Sequence, residues 1–449
     1  MSVATLEAAP APGLWRHPVF VRFWLGQSIA MAGSQVSYIA IPLVAVLALN
    51  AGALQTGLLT AAGRLPFLVF GLLAGVWVDR LRRRPMLIGT DVARAFALGW
   101  IPLAAGLHVL HLEQLYLVAF AVGTATLLSD IAAQSFLPGV IPADRMIEGN
   151  SKLEISRAST DMLGPSVGGT LVQALTAPVA VLANVVSFLV SAVLLVGVGT
   201  DEPKPRRDRT GASVWTEVRE GLRFVLRNEY LRWNAVVSAL SNLFTNVLLA
   251  ILFLYAVREL QLSPRVIGLT IGVGSVGALL GAIAGRWLTQ RLGLGPTLVV
   301  GSGVTGAGAL FLSLSSGPQP VRLAWTALAF PLFAFGYPAF NVAVISLRQL
   351  LAPNHLLGRT NATMRFLAWG TMPIGALLGG VLGTSIGLRA TMITAGVGLL
   401  SPPLVTALSP LRRIRVIDTA ADVALPAARP PARHRRARWL HAVRARHRR

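Results

Sequence analysis

Twelve stretches of this chain are each long and apolar enough to cross a lipid bilayer, and nothing else in it constrains the fold so tightly. They run near 19–48, 57–78, 86–107, 113–136, 152–174, 178–199, 231–257, 266–289, 296–314, 322–346, 360–383 and 389–408. A spanning helix needs roughly 20 apolar residues, because in hydrocarbon the backbone must satisfy its own hydrogen bonds. The predicted fold class is therefore all-α and integral to the membrane. Glu154, Arg157, Asp161 and Arg365 interrupt the fifth and eleventh stretches, which are the weakest of the twelve. Composition points the same way: 54% of the 449 residues are hydrophobic and 13% are charged, about half the charged share of a soluble domain.

The net charge is +22, a value that suggests nucleic acid until its placement is read. The connections after even-numbered spans hold Arg80, Arg82, Arg83 and Arg84, then Arg145 and Lys152, then the cations of a polar 200–230 segment. The opposite connections hold little beyond Arg258, Arg265, Arg322 and Arg389. Basic residues collect on the cytoplasmic side, so both termini are expected there, with the chain multi-pass in the cell (inner) membrane. Residues 409–449 carry twelve arginines and two aspartates, the composition of a disordered tail. Such a tail is expected to meet anionic lipid headgroups; no nucleic-acid partner is expected.

The expected organisation is a cytoplasmic segment 1–18, a six-helix bundle 19–199, a linker 200–230, a second bundle 231–408 and the basic tail 409–449. Within the linker, Val214, Val218, Leu222, Val225 and Leu226 mark an amphipathic helix. The first fourteen residues lack a basic region before a cleavage site, so no cleaved signal peptide is read.

The two bundles repeat one another. Phe20-Val21-Arg22-Phe23 opens the first span and Tyr230-Leu231-Arg232-Trp233 the seventh, at an offset of 210. Gly71, Gly75 and Trp77 match Gly281, Gly285 and Trp287 at the same offset. Pro142 and Asn150 match Pro353 and Asn361 at 211, as Gly164, Gly168 and Gly169 match Gly375, Gly379 and Gly380. Four matches in order indicate a duplicated six-helix unit, the parallel-repeat arrangement of one transporter class. The paired glycines, with Pro165 beside the first, form small-xxx-small faces that let helix backbones approach.

One loop narrows the class. Gly75-Val76-Trp77-Val78-Asp79-Arg80-Leu81-Arg82-Arg83-Arg84 resembles the signature loop of the major facilitator superfamily, with Arg82 in place of its second glycine. The stretches Phe136 to Pro142, Gly164-Pro165-Ser166-Val167-Gly168-Gly169 and Asn184 to Phe188 are similar to its macrolide-efflux-like and enterobactin-exporter-like branch. That resemblance implies two pseudo-symmetric six-helix bundles, export by alternating access, and a cytoplasmic latch formed by Gly75, Asp79, Arg80, Arg83 and Arg84. The corresponding loop after span eight reads Thr289-Gln290, so the latch is expected on one side only. A purely topology-setting basic loop explains the arginines as well, but leaves Asp79 unused. Asp91 and Arg94, spaced i and i+3, are expected to form an ion pair at the cytoplasmic end, with Asp130 able to share Arg94.

Charges inside the membrane cost about 2.5–3.5 kcal/mol or more, so each needs a partner or a wet cavity. If transport is proton-driven, the candidate carriers are Asp161, then Asp130, then Glu154. A permanent Asp161–Arg157 salt bridge is the competing account of Asp161, and Glu154 and Arg365, equivalent in the two repeats, are expected to pair. Candidate pathway residues are Gln27, Gln35, Tyr38, Arg64, Asn242, Asn246, Tyr337, Asn341 and Trp369. A pathway with few fixed charges suits a hydrophobic or amphipathic drug-like compound or secondary metabolite, and the resemblance implies drugs, macrolides or siderophore-like metabolites. An importer or uniporter of a small neutral solute stays open, as does a membrane-anchored binder acting through the tail. No enzyme, cofactor or metal site is expected: His108 and His111 have no carboxylates beside them, and the chain has no cysteine. A monomer is expected.

Overall fold

The computed structural model describes residues 14–198, 214–353 and 356–414. The 200–213 part of the linker, the tail from 415 onward and the first thirteen residues lie outside the described residues.

The chain is helical throughout its described length. The first half comprises α1 (Pro18–Leu43), α2 (Ala53–Val69), α3 (Gly71–Arg80), α4 (Arg83–Gly106), α5 (Leu112–Val140), α6 (Met146–Leu175) and α7 (Ala177–Val196). A short α8 (Val214–Arg227) leads into the second half: α9 (Glu229–Arg258), α10 (Pro264–Leu292), α11 (Leu294–Ser313), α12 (Gln319–Leu351), α13 (Leu357–Trp369), α14 (Thr371–Ser385), α15 (Leu388–Gly398) and α16 (Ser401–Leu408). Ten spans qualify by length and apolarity alone. The other two are α2 with α3, interrupted at Phe70, and α6, whose charges lower its hydropathy. The result is the expected twelve-span, two-bundle architecture.

Local chemistry sets the boundaries. The start of α1 is capped by His17, whose Nδ1 accepts the Phe20 N–H at 3.2 Å, and α9 is capped by Asn228 through the Leu231 N–H at 3.1 Å. Pro18, Pro178 and Pro264 open helices where a missing N–H costs nothing. The twelfth span breaks before Pro402, as a ring without an N–H requires. The end of α1 widens into a π-helical turn over Val44–Ala48, and Asn50 then reverses the chain at φ 52°.

The molecule is apolar outside as well as inside. Phe96 is 76% exposed and Leu117 71%, a surface that lipid covers without the penalty water imposes. Deeper packing depends on glycine. A methyl at Gly164 would lie 2.4 Å from the Gln35 Cβ of α1, and one at Gly375 2.2 Å from the Leu243 carbonyl of α9. Each repeat thus packs its fifth helix on its own first helix. The neighbouring glycines cross between the halves: Gly169 against Gly268 of α10, and Gly380 against Gly57 of α2.

These crossings seal one end of the molecule, the end carrying the α1–α2 and α9–α10 connections. There Val44–Val46 of the π-helical turn and every residue of 250–256 are buried. Arg258 of α9 reaches across to donate to the Asn50 and Ala51 carbonyls at 3.2 and 3.0 Å. At the other end the bundles diverge around a cleft.

Candidate functional site

The cleft is walled by α1, α2, α5 and α6 on one side and by α9, α12 and α13 on the other. Four cavities follow it. One of about 330 Å³ bridges the halves, with Asp130 and Gln134 facing Asn361 and Arg365. Phe67 and Trp369 meet edge-on above it, ring centres 5.5 Å apart. A second, of about 470 Å³, lies in the first half between Gln27, Asp130, Glu154 and Arg157. A third, of about 400 Å³, lies in the second half and includes Asn242, Tyr337, Asn341 and Arg348. The fourth, of about 330 Å³, sits deeper toward the sealed end, with Tyr38, Arg64 and Asn246 among apolar walls that include Phe188 and Phe253. These sizes fall in the range of small-molecule sites.

All the sequence-predicted pathway residues except Gln35 line one of these cavities. Gln35 instead donates from Nε2 to the Asp161 carboxylate. Ser275 of α10 donates to the Asp161 backbone carbonyl at 2.7 Å, so this residue sits where α1, α6 and the opposite half meet. The Asp161–Arg157 salt bridge of the competing account is not formed among the described residues. Arg157 turns to Glu154, at 3.7 Å, because i and i+3 neighbours on the exposed face of α6 meet without leaving water. Glu154 does not pair with Arg365 either: the cleft separates their helices, and Arg365 lies over the Trp369 ring at 5.3 Å. Asp130 senses Arg94, Arg157 and Arg365 electrostatically without touching any of them.

The Asp91–Arg94 pair forms and is buried, at 1% and 7% side-chain exposure. Its third partner is Ser129 at 3.1 Å rather than Asp130, and Arg94 also stacks over Phe188 at 4.1 Å. A pair so enclosed joins α4, α5 and α7 into one body, and removing either charge strands the other in a low dielectric. Arg84 donates to the Leu195 and Val196 carbonyls at 3.0 and 2.5 Å, which satisfies the end of α7. The surroundings of Gly75 and of the Asp79 side chain lie outside the described residues. Asn242 and Asn246 bond the carbonyls of Ser238 and Asn242 within their own helix, both at 2.9 Å, while still bordering cavities.

Two residues escaped sequence reasoning. Arg348 lies just beyond the tenth apolar stretch and carries no motif, yet it faces the third cavity. Arg258 reads as an isolated loop charge, yet it ties the two halves together.

Two six-helix bundles around a polar cleft, sealed at one end by cross-bundle backbone contact, are the architecture of parallel-repeat membrane transporters. The chain belongs to the Major Facilitator Superfamily, whose family model matches residues 23–372. It is 28% identical over 408 residues to the multidrug efflux pump Tap of Mycolicibacterium fortuitum, covering 87% of this chain and 95% of that one. It is 20% identical over 404 residues to macrolide efflux protein A of Streptococcus pyogenes, covering 89% and 97%. Among solved structures it resembles a bacterial homologue of the iron transporter ferroportin in an inward-facing state. There the TM-score is 0.71 and the identity 19%, with 88% of this chain and 99% of that chain covered.

Proposed function

We propose that this protein exports hydrophobic or amphipathic small molecules, of drug, macrolide or siderophore-like character, in exchange for protons. The cleft mouth then faces the cytoplasm, where the basic connections and both termini lie, and the membrane is the cell's inner one. The similarity to efflux pumps supports the direction, and the basic tail is suited to anionic lipids of the inner leaflet.

The observation that carries the coupling is Asp161. Its carboxylate is held by a neutral amide, Gln35, and not by an arginine. It can therefore take up a proton without stranding a cation, and its main chain is hydrogen-bonded to the moving partner half. Asp130, which lines the cleft, is the second candidate.

Reconstituted vesicles with an imposed pH gradient, together with a susceptibility panel in an efflux-deficient host, test this reading. The parent should raise tolerance to at least one compound, and Asp161→Asn should lower gradient-driven flux at least tenfold. No change in tolerance to any compound would refute export; full flux in the variant would remove Asp161 as the carrier.

A further inference from the structure

The duplicated bundles share a backbone plan but not a charge plan. Eight carboxylates fall within 19–199, among them Asp130 and Glu154 beside the cleft and Asp161 where α6 meets α1 and α10. Within 231–408 there is one, Glu259, at the sealed end. The second-half wall of the cleft nevertheless carries Arg348 and Arg365, both bordering the third cavity. Arg365 stands eight residues into α13, about 12 Å along the helix, and each guanidinium is close enough for Arg348 to feel Arg365.

Among the described residues neither arginine forms an ion pair. Arg348 spends Nε on the Val344 carbonyl of its own helix at 3.4 Å, and Arg365 rests on Trp369. Two like charges at this depth repel each other and forgo part of their hydration, a cost sustained only where water or an anion answers them. The rest of the cavity is built to hold such a group. Tyr337, Asn341 and Asn361 supply neutral donors around it, and Trp369 offers an apolar face on which a ring can lie.

We infer that the Arg348–Arg365 cavity binds an anionic group of the transported molecule, so the substrates include carboxylate- or phosphate-bearing amphiphiles and zwitterions. This rests on the export reading above and narrows its substrate class. In such a complex the anion bridges the two guanidiniums in charge-assisted hydrogen bonds, and the apolar body lies along Trp369 and Phe67.

Binding to the full chain in lipid nanodiscs, corrected with empty discs, tests the inference apart from transport. The probes are 2-naphthoate, 2-naphthamide and 2-naphthylmethylammonium, which share one ring system and differ in charge. The parent should bind naphthoate at least tenfold more tightly than the amide, and the ammonium most weakly. Arg348→Gln with Arg365→Gln should reduce naphthoate to the level of the amide, whereas lysine at both positions should keep most of the preference. Equal binding of naphthoate and amide by the parent overturns the inference without any variant. So does an equal loss of all three probes in the glutamine variant, or no binding of any probe. Export of neutral compounds alongside such a result would leave the export reading standing; naphthoate binding without flux of any compound would do the reverse.

Discussion

Gly169 offers the sharpest test of how the two halves close. A methyl added there would lie 2.4 Å from the Pro264 carbonyl oxygen and 2.9 Å from the Gly268 Cα, both backbone atoms that no rotamer change can move. Ordinary contact begins about 1 Å farther out, so α6 and α10 must separate in Gly169→Ala. Overpacking of this kind costs about 1–3 kcal/mol. The cost falls on the conformation in which this end is sealed and is relieved when the helices splay, so it shifts the population toward opening by roughly 5- to 150-fold. The pseudo-equivalent Gly380 is less crowded. A methyl there meets the Ala53 carbonyl at 3.0 Å and the Gly57 Cα at 3.1 Å, a deficit of a few tenths of an ångström. Because the chain has no cysteine, a single Ala51→Cys reporter, buried in the seal, can be read with a membrane-impermeant maleimide. Labelling should accelerate strongly in Gly169→Ala and only weakly in Gly380→Ala. Equal rates in parent and Gly169→Ala, or a larger effect from Gly380→Ala, would refute the argument that backbone contact at these glycines holds the seal.

Two further outcomes follow from single side chains. Arg258→Ala removes both donors that bind the Asn50 and Ala51 carbonyls across the halves. At about 1.5–3 kcal/mol for a hydrogen bond from a charged group, it should also accelerate labelling of the Ala51→Cys reporter, and more than Arg258→Lys does. Asp91→Asn leaves Arg94 buried without its counter-charge, a loss of about 3–5 kcal/mol. It should lower the midpoint of thermal unfolding in detergent and reduce the folded yield, while Arg157→Gln, whose partner Glu154 is 76% exposed, should change neither.

What the sequence discloses here follows from how local the physics is. The twelve spans depend on runs of apolar residues, and each run is visible by itself. The duplicated plan is visible because glycines such as Gly164 and Gly375 must recur wherever backbones touch. Pairings across a cleft are another matter. The spacing of Arg157 and Asp161 permits a bridge, but so does that of Arg157 and Glu154, and the choice depends on Gln35 arriving from α1. The same holds for Arg365: its symmetry with Glu154 is a fact of the repeat, whereas the distance between them depends on which end of the bundle is open. Nothing local to Arg258 shows that the reversal at Asn50 will place two carbonyls in its reach.

The division of charge between the repeats bears on how such a machine is coupled. At the repeat offset of 211, Asp130 corresponds to Asn341, Glu154 to Arg365 and Asp161 to Met372. Each of these three carboxylates thus corresponds to an amide, a cation or an apolar residue in the second half, although the glycine seams of both halves are alike. On the coupling and anion readings proposed above, proton chemistry is confined to one bundle and anion recognition to the other. The two meet only across the cavity that Asp130 and Arg365 line together. An anion held by Arg348 and Arg365 weakens the positive field at Asp130, so its arrival favours proton uptake on the facing wall. Bringing a proton to Asp130 likewise removes the negative charge that competes with the anion for Arg365. By linkage the two effects are equal in free energy. Naphthoate affinity should therefore rise as pH falls across the titration of Asp130, and the slope should vanish in Asp130→Asn while persisting in Asp161→Asn. A slope unchanged in Asp130→Asn would separate the proton site from the anion site and end this account of their exchange.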